Sequence, residues 1–240
     1  MKKLCLLLLL FLSHFLLMPL ETTHAKGKQE PVPDTVADSH SKYTAYFQTN
    51  SGRYCTAILI SSTAALTARH CVGREPAERV GTIYPGQNGD KRPFGYMNIR
   101  TYIPNPNPKY DIAILKGTER DQDEFYKYYI RKFSTTVKGY TDEEFRTFMG
   151  QDAYAYGYPH GKQFRNNVQY RSDGKITSYK TKPIPYLLTD MPAFSGQSGS
   201  GVFKKDGKFL RIMVTRTKKN TANILPFTES IAKWINENAK

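Results

Sequence analysis

The chain has 240 residues, of which 39% are hydrophobic and 13% aromatic, enough to bury a large core and too many for a disordered protein. Its net charge of +14 favours either anionic partners or a basic soluble surface. The basic residues are scattered and form no helix-turn-helix, zinc-finger or aromatic RNA-binding signature, so we expect no specific nucleic-acid partner.

Residues 1–25 are predicted to be a cleaved secretory signal. Lys2 and Lys3 precede a nearly uncharged apolar stretch over 4–20, and the small residue Ala25 provides a cleavage site. An uncleaved anchor helix is the alternative, because the stretch is near the lower length limit for crossing a bilayer. Cleavage leaves 33 basic and 20 acidic residues, a net charge of +13. We expect a secreted or periplasmic protein with no membrane association after cleavage.

The segments that follow are mostly β-like. Residues 26–42 contain few apolar residues and are predicted to form a loose N-terminal extension or pro-segment. The charged, tyrosine-rich segment 126–147 is predicted to be a connector and is compatible with helix. Short β-like runs separated by turn signals occupy 43–48, 54–60, 111–115, 168–170, 175–179, 186–188, 202–203 and 208–215.

The chain is predicted to end in a helix. Thr228 can cap it, and Ile231, Trp234 and Ile235 then share one face. The pattern as a whole predicts an all-β fold with a C-terminal α-helix.

The cysteines predict one disulfide. Cys5 leaves with the signal, and an exported chain that keeps only Cys55 and Cys71 is expected to join them. The bridge would close a loop of 16 residues, worth about 3 kcal/mol. Two thiols and three histidines at no ligand spacing disfavour a zinc site, so we expect no metal.

Three short motifs carry residues suited to nucleophilic catalysis. His70 lies in "TARHC" after an apolar run, Asp111 begins the apolar part of "YDIAIL", and Ser198 stands among glycines in "SGQSGSGV". A nucleophilic hydroxyl needs a neutral imidazole in reach, and that imidazole needs a carboxylate to orient it. Glycines also let the backbone present N–H groups, here those of Gly196 and Ser198, to an oxyanion.

Each motif alone has a plain structural explanation. Asp111 could cap a turn, His70 could be a buried histidine with satisfied hydrogen bonds, and the glycine-rich segment could be a tight turn.

Together, in the order His, Asp, Ser with separations of 41 and 87 residues, the motifs resemble those of chymotrypsin-like serine proteases. "TARHC" matches the Thr-Ala-x-His-Cys signature, and Cys55 lies where the partner half-cystine would be. The resemblance implies two antiparallel six-stranded β-barrels with the site between them. The first barrel (43–125) would hold His70 and Asp111, and the second, with the C-terminal helix (148–240), would hold Ser198.

Within that family the chain is most similar to the bacterial branch of glutamyl endopeptidases and exfoliative toxins. The segments "GQSGSGV" and "GYPHG" (157–161) and the C-terminal helix carry this similarity. Gly201 departs from the branch, where proline is common.

The resemblance implies a secreted serine endopeptidase that acts on proteins or peptides through an acyl-enzyme intermediate. Ser198 would attack, His70 would transfer the proton, Asp111 would orient His70, and no metal or cofactor would be required. The alternative is a catalytically idle or partner-activated homologue that binds an anionic partner through its basic surface.

Gln197 departs from animal trypsin-like zymogens, which have an aspartate there to pair with a newly cut N-terminal amine. We therefore expect proteins beginning anywhere in 26–41 to be similarly active, unless the extension itself blocks the cleft.

The pocket for the residue before the cleaved bond lacks the features of strict glutamate or trypsin-like specificity. The strand 212–216 has no histidine, Ala193 has no hydroxyl, and the residue six before the serine is Pro192. Asp190 lies eight before the serine and is expected to form a turn. We expect an apolar or small residue to be preferred, with acidic tolerance through Arg216 as the second possibility. The candidate pocket residues are Ala193, Met213, Thr215 and Arg216.

Overall fold

The computed structural model describes residues 27–240, with strands numbered β1 to β13 in chain order. Six strands close the first barrel, each antiparallel to its neighbours in the order β2-β3-β4-β7-β6-β5. Large side chains including Phe47, Leu59 and Leu115 fill its interior. The strands are β2 (Thr44–Thr49), β3 (Tyr54–Leu59), β4 (Ala64–Thr67), β5 (Ala77–Pro85), β6 (Met97–Pro104) and β7 (Ala113–Lys116).

The second barrel closes in the order β8-β9-β10-β13-β12-β11, because β8 pairs with both β9 and β11. Gly207 has a φ of +82° in the β11–β12 hairpin, a conformation that favours glycine. The predicted all-β fold with two six-stranded barrels is confirmed. The strands are β8 (Asp152–Gly157), β9 (Tyr170–Lys180), β10 (Tyr186–Pro192), β11 (Gly201–Lys204), β12 (Phe209–Arg216) and β13 (Thr221–Pro226).

The N-terminal segment differs from the loose extension that its composition predicted. Strand β1 (Lys28–Pro31) pairs antiparallel with β9, with Gln29 opposite Ser172. Helix α1 (Ser39–Tyr43) follows, capped by the Asp38 side chain. Backbone pairing holds β1 without apolar side chains, which is why composition did not reveal it. The predicted signal, Cys5 and the alternative anchor helix lie outside the described residues.

Two helices lie between the barrels in sequence, α2 (Glu124–Ile130) and α3 (Asp142–Thr147). The final helix, α4 (Glu229–Asn238), begins after Thr228, whose Oγ1 accepts the N–H of Ile231 as predicted. No helix in the described part of the chain is long and apolar enough to cross a membrane.

A shared core joins the barrels and fixes the cleft between them. Ile58 and Leu66 of the first barrel pack in one cluster with Ile212 and Leu225 of the second. Helix α4 closes the cluster with Ile231 and other apolar side chains. The loops carried by the two barrels are therefore held in a fixed relation.

Arg211, on β12, is fully buried, and none of its guanidinium nitrogens has a hydrogen-bond acceptor within residues 27–240. The guanidinium carbon lies 5.2 Å from the ring centroid of Phe145 and 5.6 Å from that of Phe148. Burial lowers the pKa of Arg211 to about 9. Within residues 27–240, the rings of Phe145 and Phe148 stand where a hydrogen-bonding partner would otherwise be expected.

Candidate active site

The structure brings His70, Asp111 and Ser198 into one hydrogen-bonded chain. Oδ2 of Asp111 lies 2.7 Å from Nδ1 of His70, and Nε2 of His70 lies 3.0 Å from Oγ of Ser198. Oδ1 of Asp111 accepts the backbone N–H of His70 at 2.9 Å. Because a carboxylate oxygen accepts, this geometry suits the His70 tautomer with its proton on Nδ1, whose Nε2 can accept from the Ser198 hydroxyl.

Local structure holds His70 on a short 3-10 turn, Arg69–Cys71, directly after β4. A disulfide joins Cys71 to Cys55 on β3, as the sequence predicted. The Tyr102 hydroxyl donates to the carbonyls of Arg69 (2.9 Å) and Gly73 (2.6 Å), which closes the other side of the turn. Burial raises the pKa of Tyr102, so this donor keeps its proton.

The loop before Ser198 has the backbone conformation that its glycines permit. Gly196 has a φ of +91°, and a side chain there would collide with the carbonyl of Tyr158. Thr56 Oγ1 donates to the Gly196 carbonyl at 2.9 Å, and the His160 N–H donates to the Ser195 carbonyl at 2.6 Å. Within residues 27–240, the N–H groups of Gly196 and Ser198 have no acceptor.

Gln197, directly before Ser198, is fully buried and connects this loop to the N-terminal strand. Its Oε1 accepts from the Phe194 N–H at 2.9 Å and from Nε2 of Gln29 at 3.1 Å. Ser172 Oγ accepts from Gln29 at 2.7 Å. This contact is at odds with the expectation that activity is independent of the N-terminus. Sequence reasoning missed Gln29, which stands in a polar stretch without a motif.

A cleft of about 630 Å³ opens beside the three residues. Arg216 donates through Nη1 to the side chain of Asn220. Nδ2 of Asn223 donates to Thr215 Oγ1 at 3.0 Å. The wall contains every candidate pocket residue, Ala193, Met213, Thr215 and Arg216, and also Phe194, Ser195, Val214, Thr217 and Lys218, which the sequence analysis did not single out.

Asp190 does not line this cleft. It lines a separate cavity, and its Oδ1 accepts the Lys175 N–H at 2.5 Å. The position lies within strand β10 and not in the turn that the sequence predicted, because this stretch of backbone pairs with β9 and β13.

One group of metal-ligand side chains lies close together in the described part of the chain: Cys55, His70 and Cys71. Both sulfur atoms are bonded to each other, and Nδ1 of His70 faces Asp111. A bonded disulfide offers no thiolate, so this group does not fit a metal ion.

The comparisons with known proteins identify the family and the fold. A model described as a trypsin-like peptidase domain matches residues 55–210. A curated relative, named an extracellular metalloprotease of Bacillus subtilis (strain 168), is 25% identical over 169 residues. That alignment covers 66% of this chain and 49% of the relative, so the chain spans about half the relative's length.

Solved structures of proteases share the fold. A Glu endopeptidase structure superposes with a TM-score of 0.72 at 21% identity, covering 90% of this chain and 98% of its own. The structure of the protease Anisep from Arthrobacter nicotinovorans superposes with a TM-score of 0.64 at 17% identity, covering 88% of this chain and 99% of the Anisep chain. The structure of a scabies mite inactivated protease paralogue superposes with a TM-score of 0.66 at 17% identity, covering 87% of this chain and 97% of the paralogue's chain. By its family match and its fold, this chain belongs to the trypsin-like peptidase family.

Proposed function

We propose that the protein is a serine endopeptidase that uses Ser198, His70 and Asp111 as its catalytic triad. The observation that carries the proposal is the continuous chain of contacts from Asp111 through His70 to Ser198, at 2.7 and 3.0 Å. These are the distances at which an imidazole can take a proton from a hydroxyl while a carboxylate stabilises the charge it gains.

In the proposed first stage, Ser198 Oγ attacks the scissile carbonyl carbon and its proton passes to Nε2 of His70. The carbonyl oxygen becomes an oxyanion, which accepts hydrogen bonds from the N–H groups of Gly196 and Ser198. The intermediate then breaks its C–N bond, and His70 delivers the proton to the departing amine. An ester on Ser198 remains.

In the second stage, water attacks the ester carbon and gives a proton to His70. The C–O bond to Ser198 breaks, the carboxylic acid product leaves, and the proton returns to Ser198 Oγ. Asp111 stabilises the imidazolium in both stages without itself being protonated. Neither stage calls for a metal or a cofactor.

The proposed substrate has an apolar or small residue before the cleaved bond. Ala193 and Met213 give the cleft an apolar wall, and both are almost fully buried. Arg216 and Lys218 line the same cleft and give it a positive edge. Tolerance of an acidic residue at this position is the second proposal, and it depends on Arg216.

We also place the protein outside the cytoplasm, either secreted or in a periplasm. The disulfide supports this location, because such bonds persist in oxidising compartments. The N-terminal sequence supports it independently, since it has the composition of a secretory signal.

A fluorophosphonate probe tests the proposed nucleophile. We expect rapid covalent labelling of the purified protein at Ser198, and none in Ser198→Ala, with intact folding of the variant checked by circular dichroism. His70→Ala should label slowly, because the hydroxyl then has no base. Absence of labelling in the unaltered protein would favour the idle or partner-activated homologue, binding an anionic partner through its basic surface.

A further inference from the structure

Residues 27–240 include five large apolar side chains that are strongly exposed, and three of the five belong to helix α2. We call this set the aromatic face. At least 37% of each residue is exposed, and the members are Val36, Tyr96, Phe125, Tyr128 and Tyr129. A contiguous exposed apolar surface on a folded domain marks a contact site more often than scattered single residues do.

Helix α2 supplies the centre of the aromatic face. Phe125, Tyr128 and Tyr129 follow helical spacing and are 62%, 65% and 44% exposed. Tyr126 and Ile130 occupy the opposite side of the helix and are fully buried in the first barrel. The buried side holds the helix in place. On the exposed side, Tyr129 contacts the ring of Phe94, while Phe125 and Tyr128 remain the most exposed of the three.

One short contact joins Tyr96 to this helix, and a series of contacts leads from the helix to the chain neighbour of Val36. The Tyr96 N–H donates to Asp123, the capping residue of α2, at 3.0 Å. The ring of Phe94 lies 5.8 Å from that of Tyr129 and packs directly over Gly86. The Gly86 carbonyl in turn accepts from Thr35, the neighbour of Val36, at 2.6 Å.

Cations border the aromatic face. Lys42 Nζ lies 4.9 Å from the ring centroid of Phe94 and donates to the Tyr129 carbonyl. Arg131 lies 5.7 Å from the ring of Tyr128, and Arg92 lies 4.2 Å from the ring of Tyr84.

The nearby acidic side chains leave these cations available. Within the described residues none of Lys42, Arg92 and Arg131 has a carboxylate within 4.0 Å. Glu124 on the same helix pairs with Lys127 at 2.9 Å, and Asp123 is occupied in capping α2. The border beside helix α2 is therefore positive, whereas Asp34, which accepts the Val36 N–H at 2.8 Å, places an acidic group next to Val36.

We propose that the aromatic face docks the protein on an anionic lipid surface. Phe125 and Val36 have no polar side-chain atoms and suit the boundary between headgroups and acyl chains, where tyrosine is also favoured. Lys42, Arg92 and Arg131 attract the phosphates of anionic lipids.

Charge argues against a second copy as the occupant. In a two-fold dimer the same cations would face each other across the contact. An acidic polysaccharide would satisfy the cations but would leave Val36 and Phe125 without apolar partners. The proposed association is peripheral, and it differs from the expectation that the mature chain has no membrane contact.

Flotation with lipid vesicles tests the proposal. We expect the mature chain to bind vesicles of equal parts phosphatidylglycerol and phosphatidylcholine, but not phosphatidylcholine alone, and to bind less at high salt. The double variant Phe125→Ser and Tyr128→Ser should lower the partition coefficient at least about tenfold, equivalent to about 1.4 kcal/mol.

Two controls separate this surface from general effects. Lys233→Glu, a charge change on α4, should alter vesicle binding much less than Arg131→Glu. The double serine variant should cleave a short soluble peptide at the normal rate. Vesicle binding unchanged by the double substitution, no binding to anionic vesicles, or a preference for a soluble acidic polysaccharide would each overturn the proposal.

Discussion

Nε2 of Gln29 donates a hydrogen bond of 3.1 Å to Oε1 of Gln197, the residue directly before the proposed nucleophile. Gln29 belongs to the N-terminal strand, and Gln197 is fully buried in the second barrel. The Gln197 oxygen also accepts from the Phe194 N–H, so the bond from Gln29 helps to fix the loop that carries Gly196 and Ser198. The N-terminal strand is thus part of the support of the site.

Replacing Gln29 with alanine should lower kcat by about fivefold while changing KM little. A neutral hydrogen bond contributes about 1 kcal/mol to the stability of the arrangement that it holds. The bond from Gln29 helps to orient the N–H groups of Gly196 and Ser198, which act mainly in the transition state, so its loss should affect kcat more than KM. Steady-state cleavage of a short peptide provides the measurement.

Lys28→Ala is the matched control for Gln29. Lys28 is on the same strand and pairs with Glu30 at the surface, so its replacement should leave kcat unchanged. Equal effects of Gln29→Ala and Lys28→Ala, or full activity in a chain beginning at residue 32, would contradict the role given to Gln29.

Removing the disulfide should destabilise the protein and reduce its activity together. The double variant Cys55→Ala and Cys71→Ala opens a loop with a sequence separation of 16. The chain-entropy model assigns such a loop about 3 kcal/mol, and the bridge borders the turn that carries His70. Urea unfolding and peptide cleavage measure the two effects, and recovery of both thiols free from exported protein would refute the pairing.

Arg216→Ala should reduce cleavage after glutamate by about fivefold to tenfold and leave cleavage after leucine unchanged, if Arg216 is the receptor for an acidic side chain. Lys218→Ala, in the same cleft, is the control for general charge effects. In the unaltered protein, kcat/KM for cleavage after glutamate should not exceed that after leucine, alanine or lysine by more than about a hundredfold. This factor corresponds to about 2.7 kcal/mol in activation free energy. A larger preference would show that the pocket is built for glutamate.

Arg211→Met should raise the free energy of unfolding by about 1 kcal/mol or more. The buried guanidinium has no acceptor in the described chain, whereas methionine keeps contact with Phe145 and Phe148 and removes the desolvated charge. Chemical denaturation of both proteins tests this. A clear loss of stability would indicate that the cation–aromatic contacts outweigh the cost of burial.

The sequence predicted the features that depend on distinctive residue patterns. The strand-rich pattern, the helix capped by Thr228 and the disulfide follow from periodicity, capping and cysteine use. The two barrels were expected only from the resemblance to chymotrypsin-like proteases. His70, Asp111 and Ser198 were identified by motifs, and the structure brings their side chains together.

The features that were not predicted depend on contacts between distant parts of the chain. Strand β1 is held by backbone pairing, which leaves no mark in its polar sequence. Arg211 lies in an apolar strand, where a basic residue suggests a solvent-facing side rather than a buried aromatic contact. The tyrosines of α2 resemble core residues in sequence, and only packing shows that Tyr128 and Tyr129 remain outside.

The pairing of β1 with β9 also sets an order of events in synthesis. Gln29 and Gln197 are 168 positions apart, and the N-terminal strand emerges long before its partner exists. Until Tyr170–Lys180 has been made, β1 has no strand to join, and until residue 197 has been made Gln29 has no Gln197 side chain to bond. A growing chain that has not yet reached residue 197 therefore lacks the bond that helps to fix the proposed nucleophile loop.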